Sequence, residues 1–442
     1  MKFKHFLFMI SLIILFGCAP APQTGEVIPM NSPAPIISPT STAIKLETPN
    51  PTETIPPTAT VDHSLERCLS IVAGNNMDFD SHGYLVFSKV VDIGGGKITH
   101  KAYKLDMTTN GILEISQKGE NILEMSVSPD GKWMAYESYV SSTGTDYLVV
   151  ADSSEKQRKK ILWKKEWNYI ADWLDNENIL FGTTSTSDQT NGKISSTFIV
   201  YNPFTDKSKI LEPNFPDIYE NHSIAANWSG WRETVYNQKL NHVVYLQGGP
   251  GGDGPFHYVL RDIQRKLNLV SFTVIVSTDT IPRWLPNGTE FAVALSIKND
   301  IYQTWPAYEL YRVSEDGQVT QMTHITDYYP WVYVEDYSWS PDGKYIAFWF
   351  SWWSGESPDF DLQGNRYLAV VDTENNDVTN FCIQGRFGDN GRVPTPVWSP
   401  DGKQLAIESV SPEGKSRVVV IDLAQQIAAQ IGEDMTPIGW MK

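Results

Sequence analysis

The chain has 442 residues, 41% of them hydrophobic, and carries 52 Asp and Glu against 35 Lys and Arg, a formal net charge of -17 with a pI near 4.9. That length and apolar content suffice for a large core. The acidic balance excludes a nucleic-acid surface, which needs clustered Lys and Arg against phosphate.

Residues 1–17 have the anatomy of a secretory signal, with Lys2 and Lys4 followed by an apolar run over 6–16 that only Ser11 interrupts. The run is too short for a comfortable membrane span. Leu15-Phe16-Gly17-Cys18 resembles the lipobox of bacterial lipoproteins, where cleavage before Cys leaves a thiol to be diacylated; Phe16 stands where that pattern has a small residue. The resemblance implies a signal and lipobox over 1–18, lipidation at Cys18, and an extracytoplasmic protein of the bacterial cell envelope, held to a membrane by its lipid only.

Over 19–64 the composition turns to Pro, Thr and Ser with few large apolar side chains, which cannot form a core and reads as a disordered linker. Such a stalk spans somewhere between roughly 40 and 130 Å, depending on its stiffness.

From residue 65 to 442 the chain repeats itself. MSVSPDGKWMAY at 125–136, YSWSPDGKYIAF at 337–348 and PVWSPDGKQLAI at 396–407 are near copies, with a worn one, PRWLPNGTEFAV, at 282–293. In each, an apolar strand ends in a tight turn, with Pro presetting φ and Gly taking φ > 0, before a second strand returns. First strands, with Trp near their ends, are expected at 170–174, 224–229, 281–285, 336–340, 395–399 and 437–441, and 125–128 fills the same place with Val127. Second strands are expected at 85–88, 133–137, 179–182, 242–247, 290–295, 345–350 and 404–408, and third strands at 102–106, 147–152, 197–202, 257–262, 309–314, 367–372 and 417–422. Fourth strands follow less distinctly, as at 112–116, 209–211 and 378–382. The second strand at 345–350 is apolar on both alternating sets, which suits burial on two faces.

Seven recurrences at a spacing of roughly 45 to 60 residues describe an all-β, seven-bladed β-propeller of four-stranded antiparallel blades. The last first strand, at 437–441, has only Lys442 after it and is expected to close the N-terminal blade, leaving no open edge in the ring. Residues 76–83 are either a lead-in or a competitor for that place. Of the three cysteines, Cys68 and Cys382 remain once Cys18 is set aside; they either join in one disulfide or stay as two separate thiols.

The SPDGK copies followed by an apolar strand with a central Ala resemble the repeats of TolB-like propellers, over about 78 to the C-terminus. Propellers of that kind serve as protein-binding platforms, as companion domains of serine peptidases and as a metal-dependent lyase of pectin fragments, so the resemblance implies a fold and leaves the function open.

The glycine-rich stretch at 248–252, which includes Gly249 and Gly251, resembles an oxyanion-hole loop of proline iminopeptidases, but Gln247 stands in place of His and the chain has no G-x-S-x-G elbow. It reads as a flexible loop, and no catalytic residue is assigned. Loops joining second to third strands, and one blade to the next, open on a single face. His100, His222, His257 and His324 fall in or beside such loops and could converge on a divalent metal, the alternative being scattered surface histidines and no cofactor. Trp305, Tyr328, Tyr329, Trp331, Trp352 and Trp353 lie on the same face near Glu335 and Asp336, as a rim that could stack on sugar rings or hold a peptide, or as packing for long loops. The expectation is therefore a monomeric propeller that binds an envelope protein or glycan without catalysis of its own, with a metal-dependent carbohydrate-active enzyme resembling oligogalacturonate lyases as the alternative.

Overall fold

A computed structural model describes residues 65–442 apart from 75–82, 96, 165–166, 168, 189–192, 212–234, 238, 248–255, 275–280, 297–306, 330, 354–365 and 387–392. Cys18 and the rest of 1–64 lie outside the described residues.

Seven antiparallel sheets follow one another along the chain. The second blade is Glu120–Val127, Trp133–Val140, Thr145–Asp152 and Arg158–Leu162, and the third is Tyr169–Trp173, Ile179–Asp188, Lys193–Asn202 and Lys207–Leu211. The fourth is Val235–Asn237, His242–Gln247, Phe256–Asp262 and Leu267–Val274. The fifth comprises Arg283–Trp284, Glu290–Ser296, Tyr308–Ser314 and Val319–Gln321, and the sixth Trp331–Trp339, Tyr345–Trp353, Tyr367–Asp372 and Val378–Gln384. The seventh is Val397–Trp398, Gln404–Val410, Ser416–Asp422 and Ile427–Glu433.

The first blade joins the two ends of the repeat region. Thr436–Met441 supplies its inner strand and pairs antiparallel with Tyr84–Gly94, which continues into Lys97–Asp106 and Ile112–Glu114. Lys442 adds a bond from its N–H to the Gly131 carbonyl at 2.8 Å, tying the closed blade to the second one. The structure therefore has the expected seven blades and the expected closure.

Packing explains the doubly apolar second strands. Ile346, Ala347, Phe348, Trp349 and Phe350 are all fully buried. Ile346, Phe348 and Phe350 face the fifth blade with Ala292, Ala294 and Tyr308, while Ala347 and Trp349 face the seventh with Leu405 and Ile407. Each interior blade is thus the filling between two hydrophobic layers.

The repeated turn works as its residues require. Ser128, Ser340 and Ser399 each donate a hydroxyl to the Asp two residues on, at 2.9, 2.7 and 2.7 Å, and accept the N–H that starts the returning strand at 3.0, 2.9 and 2.9 Å. Gly131, Gly343 and Gly402 take φ of 70°, 74° and 71°, a region an L side chain enters only with strain.

The repeat tryptophans fasten one blade to the one before. Indole Nε1 of Trp173, Trp284, Trp339, Trp398 and Trp440 donates to the backbone carbonyl of Ser126, Val235, Arg283, Ser338 and Val397, at 3.3, 3.4, 2.9, 3.1 and 3.1 Å. Inner strands touch their neighbours around most of the ring. The second blade, with Val127 in the Trp position, instead packs its valine against Gly439 of the first.

Two features differ from expectation. The inner strand of the fourth blade is Val235–Asn237 rather than 224–229, and Trp228 lies outside the described residues. Asn237 instead ties the fourth blade to the fifth, donating its side-chain amide to the Gly288 carbonyl at 2.7 Å. An N-terminal strap is also added. Arg67 and Leu69 N–H groups bond to the Asn380 and Phe381 carbonyls of the sixth blade, and Ile71–Ala73 then pairs parallel with the outer strand of the seventh. Cys68 and Cys382 form a disulfide that fixes the strap across a sequence separation of 314 residues.

Candidate binding face

The loop between the fifth and sixth blades is built on a buried carboxylate. Glu309 is 0% exposed and accepts the Thr326 N–H and hydroxyl, both at 2.7 Å, and the Thr323 hydroxyl. The single turn Ile325–Asp327 follows, and its Ile325 carbonyl accepts the N–H groups of Tyr328 and Tyr329 at 3.0 and 3.1 Å. The two tyrosines are thereby aimed by backbone bonds.

They are aimed differently. Tyr329 lies 4.7 Å, centroid to centroid, from Trp352, whose other neighbours are Tyr367 at 4.7 Å and Phe350 at 5.3 Å. Those contacts fill much of the Trp352 ring surface from within the chain. Tyr328 is instead 44% exposed. Trp331 opens the inner strand of the sixth blade and is half-buried. The side chain of Trp353, and Trp305, Gly249 and Gly251, lie outside the described residues.

The acids expected on this rim are placed otherwise. Glu335 is buried and paired with buried Arg366 through contacts of 2.7 and 2.8 Å, and the guanidinium also covers the Tyr333 ring at 5.6 Å. A paired, desolvated carboxylate of this kind holds structure together and offers little to a partner. Asp336 stands at a bulge in the inner strand, where the register shifts between Glu335 and Tyr337, and takes a φ of 23°. Leu65 of the strap packs onto this side of the sixth blade, and burial, with Glu66 as a lesser cause, raises the Tyr329 hydroxyl pKa.

The histidines are dispersed as far as the structure describes them. His100 is half-buried, with its backbone N–H on Asn121 Oδ1 at 2.7 Å. His324 is exposed, with Nδ1 3.2 Å from Gln321 Nε2. The His257 side chain and His222 lie outside the described residues. Among the described residues the group with three potential ligand atoms close together is Glu66, Cys68 and Cys382, and its two sulfurs are bonded to each other.

On the opposite face, where first strands turn into second and third into fourth, an open cleft of about 640 Å³ lies between the third and fourth blades. Lys207, Lys209, Tyr236, Asn241 and Gln264 line it. Apart from Tyr236, on the inner strand of the fourth blade, these residues belong to ordinary turn and outer-strand sequence, so no local motif marks them.

The sequence matches no protein-family profile and no curated protein. Solved structures do resemble the fold. The β-propeller domain of the Trilobed protease from Pyrococcus furiosus is 12% identical with a TM-score of 0.50, over 83% of this chain and 98% of that one. TolB from Acinetobacter baumannii is 14% identical with a TM-score of 0.42, over 85% of this chain and 88% of that one. An oligogalacturonate lyase in complex with manganese is 15% identical with a TM-score of 0.48, over 80% and 87%. At such identities the likeness is one of fold: this chain is a seven-bladed β-propeller, and the arrangement of its own residues has to argue for function.

Proposed function

We propose that this protein is a lipid-anchored, extracytoplasmic propeller whose aromatic loop face binds a protein or glycan of the cell envelope, without catalysis of its own. The observation that carries the reading is Tyr328, an exposed ring presented by a loop whose root, Glu309, is buried and fully bonded. A large amphipathic ring on a preorganised loop loses little entropy when a partner covers it. The partly exposed Trp352 and Trp331 extend the surface beside it. The Cys68–Cys382 disulfide supports an oxidising compartment outside the cytoplasm, in keeping with the lipobox at Cys18.

The test is retention of solubilised envelope proteins and of arrayed cell-wall and capsular glycans by the immobilised protein. Loss of a retained partner in Tyr328→Ala, with thermal unfolding unchanged, supports the reading; equal retention by Tyr328→Ala and by Trp331→Ala sinks it. Elemental analysis of protein prepared without chelator addresses catalysis separately. A stoichiometric divalent metal would replace the binding reading with the lyase-like alternative.

A further inference from the structure

The open cleft between the third and fourth blades is built by register. Lys207 pairs with Asn202 and Lys209 with Val200, so two neighbouring strands of the third blade present these side chains on one face. That face looks toward the fourth blade, because Leu211, next in the same alternation, packs in one apolar cluster with Tyr236, Val243 and Val259. Leu211 and Tyr236 are buried there and close the floor, and Asn241 and Gln264 stand across from the lysines on the fourth-blade side.

No carboxylate lines the cleft, in a chain whose net charge is -17. The acids nearest in sequence are engaged elsewhere. Asp206 accepts the Tyr201 hydroxyl at 2.8 Å and pairs with Lys164 at 3.7 Å. Asp175 accepts the Glu177 and Asn178 N–H groups at 2.7 and 2.8 Å, and the Asn178 side-chain amide on both its oxygens at 3.0 and 2.8 Å. Lys207 and Lys209 are exposed, and among the described residues neither ammonium has an ion pair or a hydrogen bond.

The amides of the cleft are oriented by bonds made behind them. Asn241 Oδ1 accepts the Tyr236 hydroxyl at 3.1 Å, and Asn202 Oδ1 accepts the Phe204 and Thr205 N–H groups at 3.0 and 2.9 Å. Each therefore keeps its NH₂ end for another partner. Asn178 is turned the other way, its NH₂ on Asp175, and keeps its carbonyl oxygen.

We propose that this cleft binds a phosphate monoester of a sugar or polyol, its phosphate on Lys207 and Lys209 and its hydroxyls on the amides. The two lysine stems start roughly 6 to 7 Å apart along the strand, and their flexible ends converge on one group between them. Two ammonium charges match a phosphate that carries nearly two negative charges at neutral pH. A carboxylate carries one charge and is matched best by the planar fork of an arginine, a residue the lining lacks. A peptide needs a pocket for an apolar anchor, and the apolar floor here is already filled by Leu211 and Tyr236. Amides that present donors and an acceptor suit a body rich in hydroxyls. This cleft is separate from the aromatic face and does not depend on the function proposed for it.

The probes are glucose 6-phosphate and glycerol 3-phosphate, against glucose, inorganic phosphate and glucuronate. Saturation-transfer and phosphorus NMR on the full chain read binding at the affinity, roughly 1 mM, that a few charge-assisted contacts in an open cleft support. The expected result is saturable binding of at least one ester, tighter than any of the three comparison compounds. It should weaken about tenfold or more in the double variant Lys207→Gln with Lys209→Gln, whose thermal unfolding should match wild type because both side chains are exposed. Lys156→Gln, at an exposed bend between the third and fourth strands of the second blade, should leave binding unchanged. Inorganic phosphate or glucuronate binding as tightly as the better ester would overturn the proposal. So would absence of saturation with both esters, unchanged affinity in the double variant, or an equal loss in Lys156→Gln.

Discussion

Indole Nε1 of Trp398, on the inner strand of the seventh blade, donates to the backbone carbonyl of Ser338, on the inner strand of the sixth, at 3.1 Å. Ser338 in turn donates its hydroxyl to the Pro396 carbonyl at 2.6 Å, so the two strands hold each other in both directions. Inner strands of two residues, such as Val397–Trp398, are too short to fix their own blades. The reach of the indole to the preceding blade compensates for that.

Trp398→Phe keeps most of the buried ring area and removes the donor. It should cost about 1 to 3 kcal/mol, the penalty for a buried carbonyl left without its partner, read as a lower denaturant midpoint at unchanged slope. A midpoint equal to wild type would show that the indole bond is replaced by water.

Gly439 meets Val127, which stands where five other blades have a tryptophan. A Cβ on residue 439 would stand 2.6 Å from Val127 Cγ2, inside contact distance. Gly439→Ala should therefore destabilise by about 1 to 3 kcal/mol, as overpacking does, and should cost much less in the presence of Val127→Gly, which removes both Cγ2 and the Cβ that would stand 2.7 Å away. Additive effects in that double-mutant cycle would separate the two residues.

Glu137, 9% exposed on the second strand of the second blade, has its pKa pushed up to about 7 by burial, with Glu124 and then Asp146 as further causes. Its folded-state value lies above the ordinary 4.5, so between these values the folded form holds a proton that the unfolded form has lost. Stability should fall as pH rises through that window. Glu137→Gln should gain on wild type by about 1 to 3 kcal/mol at pH 8, with the difference closing below pH 4.5, as read by denaturant melts across pH. A constant difference across the range would locate the effect elsewhere.

The strap gives a redox prediction. Cys68→Ser with Cys382→Ser should lower stability by about 2 to 5 kcal/mol and raise hydrogen exchange at the Asn380 amide, which donates to the Leu65 carbonyl at 2.7 Å. Exchange unchanged at Asn380 would mean that backbone pairing alone holds the strap.

Trp352 and Tyr328 should separate packing from presentation. Trp352→Ala removes a ring in contact with Tyr329, Phe350 and Tyr367 and should lower stability by about 3 kcal/mol, whereas Tyr328→Ala should lie within about 0.5 kcal/mol of wild type. Equal losses would mean that the two rings are packed alike.

Much of the ring was legible because its repeating element is local. Ser-Pro-Asp-Gly-Lys states its own turn through a fixed φ, a positive φ and two short side-chain bonds, all within a few residues. The fourth blade was misplaced because residues 224–229 carry the apolar run and the Trp228 that mark inner strands elsewhere. The strand in use, Val235–Asn237, relies on Asn237, whose partner Gly288 lies in the next blade. Of the strap only the Cys68–Cys382 alternative could be read, since Ile71–Ala73 finds its register on Ala428, Ala429 and Gln430 at the far end of the chain. On the candidate face, composition marks aromatics but not their neighbours, so Trp352, partly exposed but packed against Tyr329, Phe350 and Tyr367, read the same as Tyr328.

The position of the Cys68–Cys382 bond has a mechanical consequence under the N-terminal anchoring proposed above. Tension in the chain ahead of Leu65 enters at Cys68 and passes covalently to the sixth blade, where the Arg67 and Leu69 amides share the load. The seam between Thr436–Met441 and Tyr84–Gly94, where the ring closes on its C-terminal strand, stands downstream of that junction and is spared the pull.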